Sequence, residues 1–159
     1  GTDRVAQVVE ELEADVVVNI QGDEPAIDPQ LIDDLVAAFD EPNIFMATVA
    51  TTDISLEDEI DPNVVKVLVD NNNIALAFRR EPRQYEIGGY YRHIGIYAFR
   101  KEAIMKFTKM MQTENEKTQK LEQLRVLDNG LPIHVIMTDY TGRGIDTEED
   151  LKAFAETNG

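Results

Sequence analysis

Cysteine is absent from the 159 residues, which removes disulfides, thiolate metal sites and cysteine nucleophiles from consideration. Long apolar runs are absent as well. None approaches the roughly 18 residues needed to cross a bilayer, so the sequence reads as neither membrane-spanning nor led by a signal peptide. Positive charge is scarce: 15 Lys and Arg stand against 31 Asp and Glu, a formal charge of −16. A field of that sign repels nucleic-acid phosphates and anionic lipid surfaces. It would also repel a triphosphate or a sugar acid unless local Arg, Lys or a divalent cation offsets it. No Ser-His-Asp arrangement, phosphate loop, dinucleotide fingerprint, zinc spacing or internal repeat occurs. The expectation from these absences is a soluble, cytoplasmic protein with neither nucleic acid nor membrane as a partner.

What is present fits one domain over residues 1–159 with a substantial core, 43% of the residues being hydrophobic. "GTDRVAQVVEELEAD" has no starting Met and places Val5, Val8, Val9 and Leu12 at helical spacing, as though something upstream were missing. "DVVVNI" is an uninterrupted β-branched run, the pattern of a strand covered on both faces. Asp28 and Pro29 then open a helix with apolar positions 31, 32, 35, 36 and 39. "IFMATVAT" completes a strand, helix, strand unit of the kind that builds parallel sheets. "NVVKVLVD" and "IALAFRR" flank an "NNN" turn as a β-hairpin, and "YYRHIGIYAF" reads as a third strand of that region. "RKEAIMKFTKMM" and "TQKLEQLRVLDNG" read as helices, "PIHVIMTD" as a strand, and "TEEDLKAFAE" as a closing helix capped by Thr147. The sum is a three-layer α/β core with an antiparallel insertion between about residues 60 and 100, a fold that binds ligands outside the carboxyl ends of its strands.

Gln21 to Pro25 lie at such an end. Asp23 there reads either as a turn-forming Asx residue or as a carboxylate holding Mg²⁺, an ion usually bound by one or two carboxylates together with substrate phosphates. Asp146, in "TGRGIDTEEDL", reads either as a loop or capping carboxylate or as a second ligand to the same ion. His93 shares a strand face with Tyr91, Gly95 and Tyr97 by period-two counting, which makes either a pocket lining or an ordinary sheet histidine. His134, alternating inside "PIHVIM", reads as structural or solvent-facing on a strand. Glu122 and Gln123 lie beside an apolar stripe of Leu121, Leu124, Val126 and Leu127, where a solvated face is the usual explanation. Arg79, Arg80 and Arg83 cluster after the hairpin, suited to gripping carboxylates or phosphates, or simply to solubility.

"GTDR", "VVNIQGDEP", "DPNVVKVLVD", "RHIGIYAFR", "LEQLRVLDNG" and "GIDTEEDL" together resemble the CMP-Kdo synthetases, the 3-deoxy-manno-octulosonate (Kdo) cytidylyltransferases of lipopolysaccharide synthesis. The resemblance covers essentially the whole chain. It implies a nucleotidyltransferase-like mixed sheet whose hairpin forms a homodimer contact, and a Mg²⁺-dependent reaction of CTP with Kdo giving CMP-Kdo and pyrophosphate. It further implies Asp23 and Asp146 as catalytic metal ligands and Arg4 and Gln21 on the nucleotide side. Arg80, His93, Tyr97, Glu122 and Gln123 would surround the sugar acid, with Arg80 facing its carboxylate. The family's N-terminal strand and triphosphate loop are not found before "GTDR", so the chain resembles about the latter two-thirds of such an enzyme, and by itself is expected to be inactive or nearly so. Where the family has Tyr-Phe-Ser-Arg and Pro-rich residues, this chain has "AFRREPRQYEIGG", with Arg79 in place of Ser. The alternatives are a cytidylyltransferase for another keto-sugar acid, such as an amino-Kdo or a sialic-acid-like compound, and a non-catalytic sugar-nucleotide binding module.

Overall fold

The computed structural model describes residues 2–22, 24–25, 27–81, 89–142, 144–145 and 148–158. Six strands form one mixed sheet: β1 (Val16–Ile20), β2 (Met46–Thr51), β3 (Lys66–Val69), β4 (Ala75–Arg79), β5 (Tyr90–Arg100) and β6 (Ile133–Thr138). Around them lie α1 (Thr2–Val9), α2 (Pro29–Ala37), α3 (Leu56–Ile60), α4 (Lys101–Phe107), α5 (Glu114–Gln119), α6 (Leu124–Asp128) and α7 (Glu148–Asn158). The three-layer α/β class read from the pattern is the observed one.

The hub of the sheet is β5. The sequence suggested that it belonged to the hairpin region, but its 11 residues are long enough to pair with three strands. β2 runs antiparallel along one edge of β5, from Met46 opposite Phe99 to Thr51 opposite Arg92. The other edge is shared end to end by β1, opposite residues 96–100, and β3, opposite residues 90–92. β1 and β2 are therefore parallel in direction but separated by β5, and the parallel ladder is β2 with β6 instead. The strand-helix-strand unit exists without its two strands being neighbours.

Each sheet face buries its own core. On one face α2 packs Leu31 and Leu35, with Phe39 just beyond it, against Ala47, Val49, Ile94, Ile96 and Ala98. Asp28 caps α2 by accepting a hydrogen bond from the Gln30 amide at 2.9 Å. The spacing of 31, 35 and 39 puts three large side chains on one stripe, each contributing roughly 1.5–3 kcal/mol by burial. On the other face Ala6 and Val9 of α1, Ala103, Ile104 and Phe107 of α4, and Leu124 and Val126 of α6 pack on Met46, Tyr97, Phe99 and Phe78. Val8 and Leu12, expected on the apolar side of the first helix, are 64% and 51% exposed.

The β3–β4 hairpin turns at Asn73, whose φ of 58° is the left-handed conformation expected of the asparagine turn. The Asp70 side chain accepts the Asn72 and Ile74 amides at 2.8 Å. The hairpin curls back far enough for Ile74 to bridge His134 and for the Val135 amide to donate to the Asn73 carbonyl. β3 is paired on both edges, by β4 and β5, while β4 stands at the end of the strand order. His134 is held structurally by that bridge.

Residues 118–130 do not make one helix. α5 begins earlier, at a capping box between Thr113 and Glu116, and stops at Lys120, whose φ is 55°. α6 then starts afresh at Leu124. The buried Arg125 donates to Glu116 through Nε at 2.9 Å and Nη2 at 2.5 Å while stacking over Phe107 at 4.3 Å, which folds the two short helices together. Glu122 and Gln123 consequently sit in the break between helices rather than on a solvated helical face.

Candidate active site

Antiparallel pairing of β5 with both β1 and β2, and parallel pairing of β2 with β6, points β1, β2 and β6 the same way. Their carboxyl ends share one edge of the sheet, where the first residues of β5 also lie. On the β1 side of β5 the ladder is interrupted. β1 ends at Ile20 opposite Ile96 and β3 begins at Lys66 opposite Arg92, with the His93 amide still donating to the Val65 carbonyl at 2.9 Å, so residues 94 and 95 form the floor of a notch between two strands. Sheet edges of this kind, open and flanked by strand ends, are where α/β folds hold ligands.

Gln21, the first residue past β1, lies over this floor. Its side-chain amide comes within 3.7 Å of where a Cβ on Gly95 would be, so the glycine leaves the amide lying close on the strand. Asp23 and Asp146 both lie outside the described residues. Their chain segments nevertheless leave the same edge: Asp23 follows the end of β1 by three residues and Asp146 follows the end of β6 by eight. Among the described residues no group of three or more His, Asp or Glu is placed to hold a metal ion. At the same edge the buried Arg92 donates from Nε to the Asp53 carbonyl at 3.0 Å and from Nη2 to the Tyr140 carbonyl at 3.4 Å, tying together the segments that leave β2 and β6.

His93 is only 8% exposed. Phe78 meets its ring edge-on with centroids 5.2 Å apart, and Tyr97 lies tilted at 5.6 Å. The polar and aromatic face expected of β5 therefore exists, with Tyr97 itself buried in the core. Burial pushes the His93 pKa down to about 3, so the imidazole is neutral near pH 7. Its Nε2 stands 2.9 Å from Thr48 Oγ1.

Arg80 is half-buried just past β4. Its Nε donates to the Gln119 carbonyl at 2.9 Å and its Nη1 to the Pro62 carbonyl at 3.0 Å. Two of its donors thus brace the guanidinium, and Nη2 donates to nothing among the described residues. The Arg80 carbonyl in turn accepts from Lys66 Nζ, which also donates to the Asp61 carbonyl at 2.7 Å and the Asp58 carbonyl at 3.3 Å. Lys66 is fully buried. Its three protons close the hairpin onto the end of α3 and fix the main chain that presents Arg80.

Glu122 accepts from the Thr2 amide at 3.1 Å and the Thr2 hydroxyl at 2.7 Å, so its carboxylate stands at the N-terminus of α1. Arg4, on the same helix, is exposed. Gln123 is 2% exposed, and its buried Nε2 makes no hydrogen bond among the described residues. A buried amide donor left unsatisfied costs about 1–3 kcal/mol, which marks it as a group waiting for an acceptor. The structure thus brings His93 together with Tyr97, Gln21 with Gly95, and Arg80 with the segment leading to Glu122 and Gln123. Thr48 and Lys66 were not singled out from the sequence, and Gly95 was named there only as a neighbour on the His93 face. A lone hydroxyl in "IFMATVAT" and a lone cation in "NVVKVLVD" are the signals that could have found two of them, because a polar group inside a buried strand needs a specific partner. A surface hollow of about 410 Å³ between Asp15, Arg100 and Met105 is lined by none of the candidate residues.

Residues 1–136 match the protein family described as Cytidylyltransferase. The 3-deoxy-manno-octulosonate cytidylyltransferase of Syntrophotalea carbinolica is 41% identical over 95% of this chain and 66% of its own length. That of Trichlorobacter lovleyi is 38% identical over 98% of this chain and 68% of its own. Among solved structures, a CMP:2-keto-3-deoxy-manno-octonic acid synthetase complexed with CTP superimposes with a TM-score of 0.89 at 34% identity, covering 98% of this chain and 66% of that one. The chain spans about two thirds of the length of these relatives.

Proposed function

The chain belongs to the 3-deoxy-manno-octulosonate cytidylyltransferase family, and on that premise we propose that its protein activates Kdo with CTP, giving CMP-Kdo and pyrophosphate for lipopolysaccharide synthesis in the cytoplasm. The anomeric oxygen of the sugar attacks the α-phosphorus as the bond to the β-phosphate oxygen breaks. Pyrophosphate leaves with that bonding pair, and the proton of the anomeric hydroxyl passes to solvent. Positioning and charge stabilisation carry such a transfer, with no covalent enzyme intermediate.

The observation that carries this reading is the shared sheet edge. The segments bearing Asp23 and Asp146 leave it beside the notch in which Gln21 lies on Gly95 and His93 is buried. Asp23 and Asp146 would hold Mg²⁺, which when bound offsets negative charge on the phosphates and the attacking oxygen. Gln21 and Arg4 serve the nucleotide. Arg80, whose Nη2 makes no hydrogen bond among the described residues, faces the sugar carboxylate, the Gln123 amide donates to the sugar, and Glu122 shapes that side through its hold on α1. His93, neutral with a pKa of about 3, offers a hydrogen-bonding edge and not a positive charge. The protein acts as a homodimer through the hairpin, whose strand β4 stands at the end of the sheet and carries Leu76 at 55% exposure. Light scattering that reports a monomer at working concentrations would count against that contact.

The test is CTP-dependent pyrophosphate release, measured with Mg²⁺ over a panel of keto-sugar acids using the protein as its gene encodes it. Release with Kdo is expected. Release with another keto-sugar acid and none with Kdo would reject the substrate, and release with no member of the panel would reject the reaction.

A further inference from the structure

We propose that Thr48 is a positioning residue for the sugar-acid site: its hydroxyl fixes His93 as the Nε2–H tautomer, so that Nδ1 presents a lone pair to a hydroxyl group of the substrate. This rests on reading the notch as the sugar-acid site and assigns that site a chemical preference.

The argument starts from the ladder between β2 and β5. Its register slips after Thr48, which opposes Tyr97, while the next residue, Val49, opposes Ile94. Gly95 and Ile96 are left out of the ladder on that side, and such irregularities free main-chain groups that need other partners. The Thr48 side chain, with the residue fully buried, supplies one. Its Oγ1 lies 2.7 Å from the Ile96 carbonyl and 3.5 Å from the Ile94 carbonyl. A threonine hydroxyl has one proton, and a carbonyl oxygen can only accept. The short contact to Ile96 therefore takes that proton, and Oγ1 turns its lone pairs toward His93 Nε2 at 2.9 Å. Nε2 must then be the donor.

A neutral imidazole carries one proton, so Nδ1 is left as an acceptor, and among the described residues it makes no hydrogen bond. Phe78 edge-on and Tyr97 tilted hold the ring plane. An acceptor nitrogen repels the lone pairs of a carboxylate and welcomes the hydrogen of an alcohol. The sugar acid is thus divided between two kinds of recognition: a cation, Arg80, for the carboxylate and a neutral acceptor, His93, for a hydroxyl.

The test is ¹⁵N NMR of histidine-labelled protein, as its gene encodes it, combined with substrate kinetics. The His93 resonances are assigned by comparison with a His134→Gln variant, since only two histidines exist. The wild-type spectrum is expected to show Nε2 protonated and Nδ1 bare, with Nδ1 moving on addition of the sugar acid and not of CTP. Thr48→Val is expected to shift the tautomer and raise KM for the sugar acid about 10-fold, the scale of one lost hydrogen bond, with KM for CTP unchanged. Thr48→Ser is expected to restore both. A proton on Nδ1 in the wild type overturns the proposal without any variant, so misfolding of the valine variant leaves it falsifiable. An unchanged tautomer in Thr48→Val, or an Nδ1 indifferent to the sugar acid, also overturns it. If wild-type protein turns over no keto-sugar acid, the functional reading fails on that ground, while the free-protein spectrum still decides whether Thr48 sets the tautomer.

Discussion

Replacing Lys66 by Met would keep the aliphatic stem that packs in β3 and remove only the ammonium. What is lost is three hydrogen bonds, to the carbonyls of Asp58, Asp61 and Arg80, inside a residue with no solvent exposure. Burial pulls the Lys66 pKa below its ordinary value, while the charges of Asp61 and Asp58 work against that pull. The site therefore sets a desolvation cost against three donated bonds. Asp58 is buried, whereas Asp61 and Arg80 are only partly so, and their carbonyls can recover water once the ammonium is gone. Bonds to a charged donor are worth about 1.5–3 kcal/mol each, and an unsatisfied buried acceptor costs about 1–3 kcal/mol. With two carbonyls partly rehydrated and the desolvation cost relieved, the net loss is roughly 2–4 kcal/mol. That is a large part of the 5–15 kcal/mol typical of a domain, and it lowers the melting temperature by roughly 5–15 °C for a chain of this size. Urea titration of wild type and Lys66→Met, followed by circular dichroism, measures it as a shift in midpoint at constant slope. Because the Arg80 carbonyl is one of the three, the variant should also raise KM for the sugar acid more than KM for CTP. A stability change under about 0.5 kcal/mol would refute the view that these bonds stabilise the hairpin base.

Glu116→Gln should cost about 3–5 kcal/mol by stranding Arg125, while Glu116→Gln combined with Arg125→Met should recover most of it, because the buried charge is then gone; paired urea titrations measure both. Burial alone would raise the Glu116 pKa, but the hydrogen bonds and charge of Arg125 outweigh it and the pKa is lowered. This carboxylate thus contributes stability above the ordinary carboxylate range that is lost as pH falls through its folded pKa. His93 acts in the same direction at a higher pH. Its pKa falls from 6.5 unfolded to about 3 folded, so the unfolded state binds the extra proton between those values and stability declines as pH drops through that window. From pH 7 to pH 5 the loss assigned to His93 is about 2 kcal/mol, and a His93→Gln variant should show a correspondingly flatter profile over that interval.

Much of this was legible in the sequence because it depends on local chemistry. Asp28 followed by Pro29 set the start of α2, "NNN" set the hairpin turn, and the β-branched run set β1. Pairing was not legible, because a buried strand carries no label for its neighbour. The same "YYRHIGIYAF" that could have continued the hairpin serves as the hub of the sheet. The break at Lys120 was hidden too: Glu116 and Arg125 are too far apart for a helical pair, and only their meeting in space explains why 118–130 is not one helix. For the candidate site, Gln21, His93, Tyr97 and Gln123 were named from the sequence, yet the notch between β1 and β3 follows from register alone. Its supports, Thr48 and Lys66, work through main-chain carbonyls that leave no trace in side-chain spacing.

The account stands most directly on the proposed meeting of the Asp23 and Asp146 carboxylates on one Mg²⁺ ion. Titration of Mg²⁺ and CTP into the protein as its gene encodes it, with Asp23→Asn and Asp146→Asn made separately, measures that meeting. The account predicts that each variant weakens metal-dependent CTP binding and pyrophosphate release by a comparable amount, on the order of 100-fold or more, the scale on which transition-state charge stabilisation is lost. Loss of metal binding in Asp23→Asn with none in Asp146→Asn would contradict it.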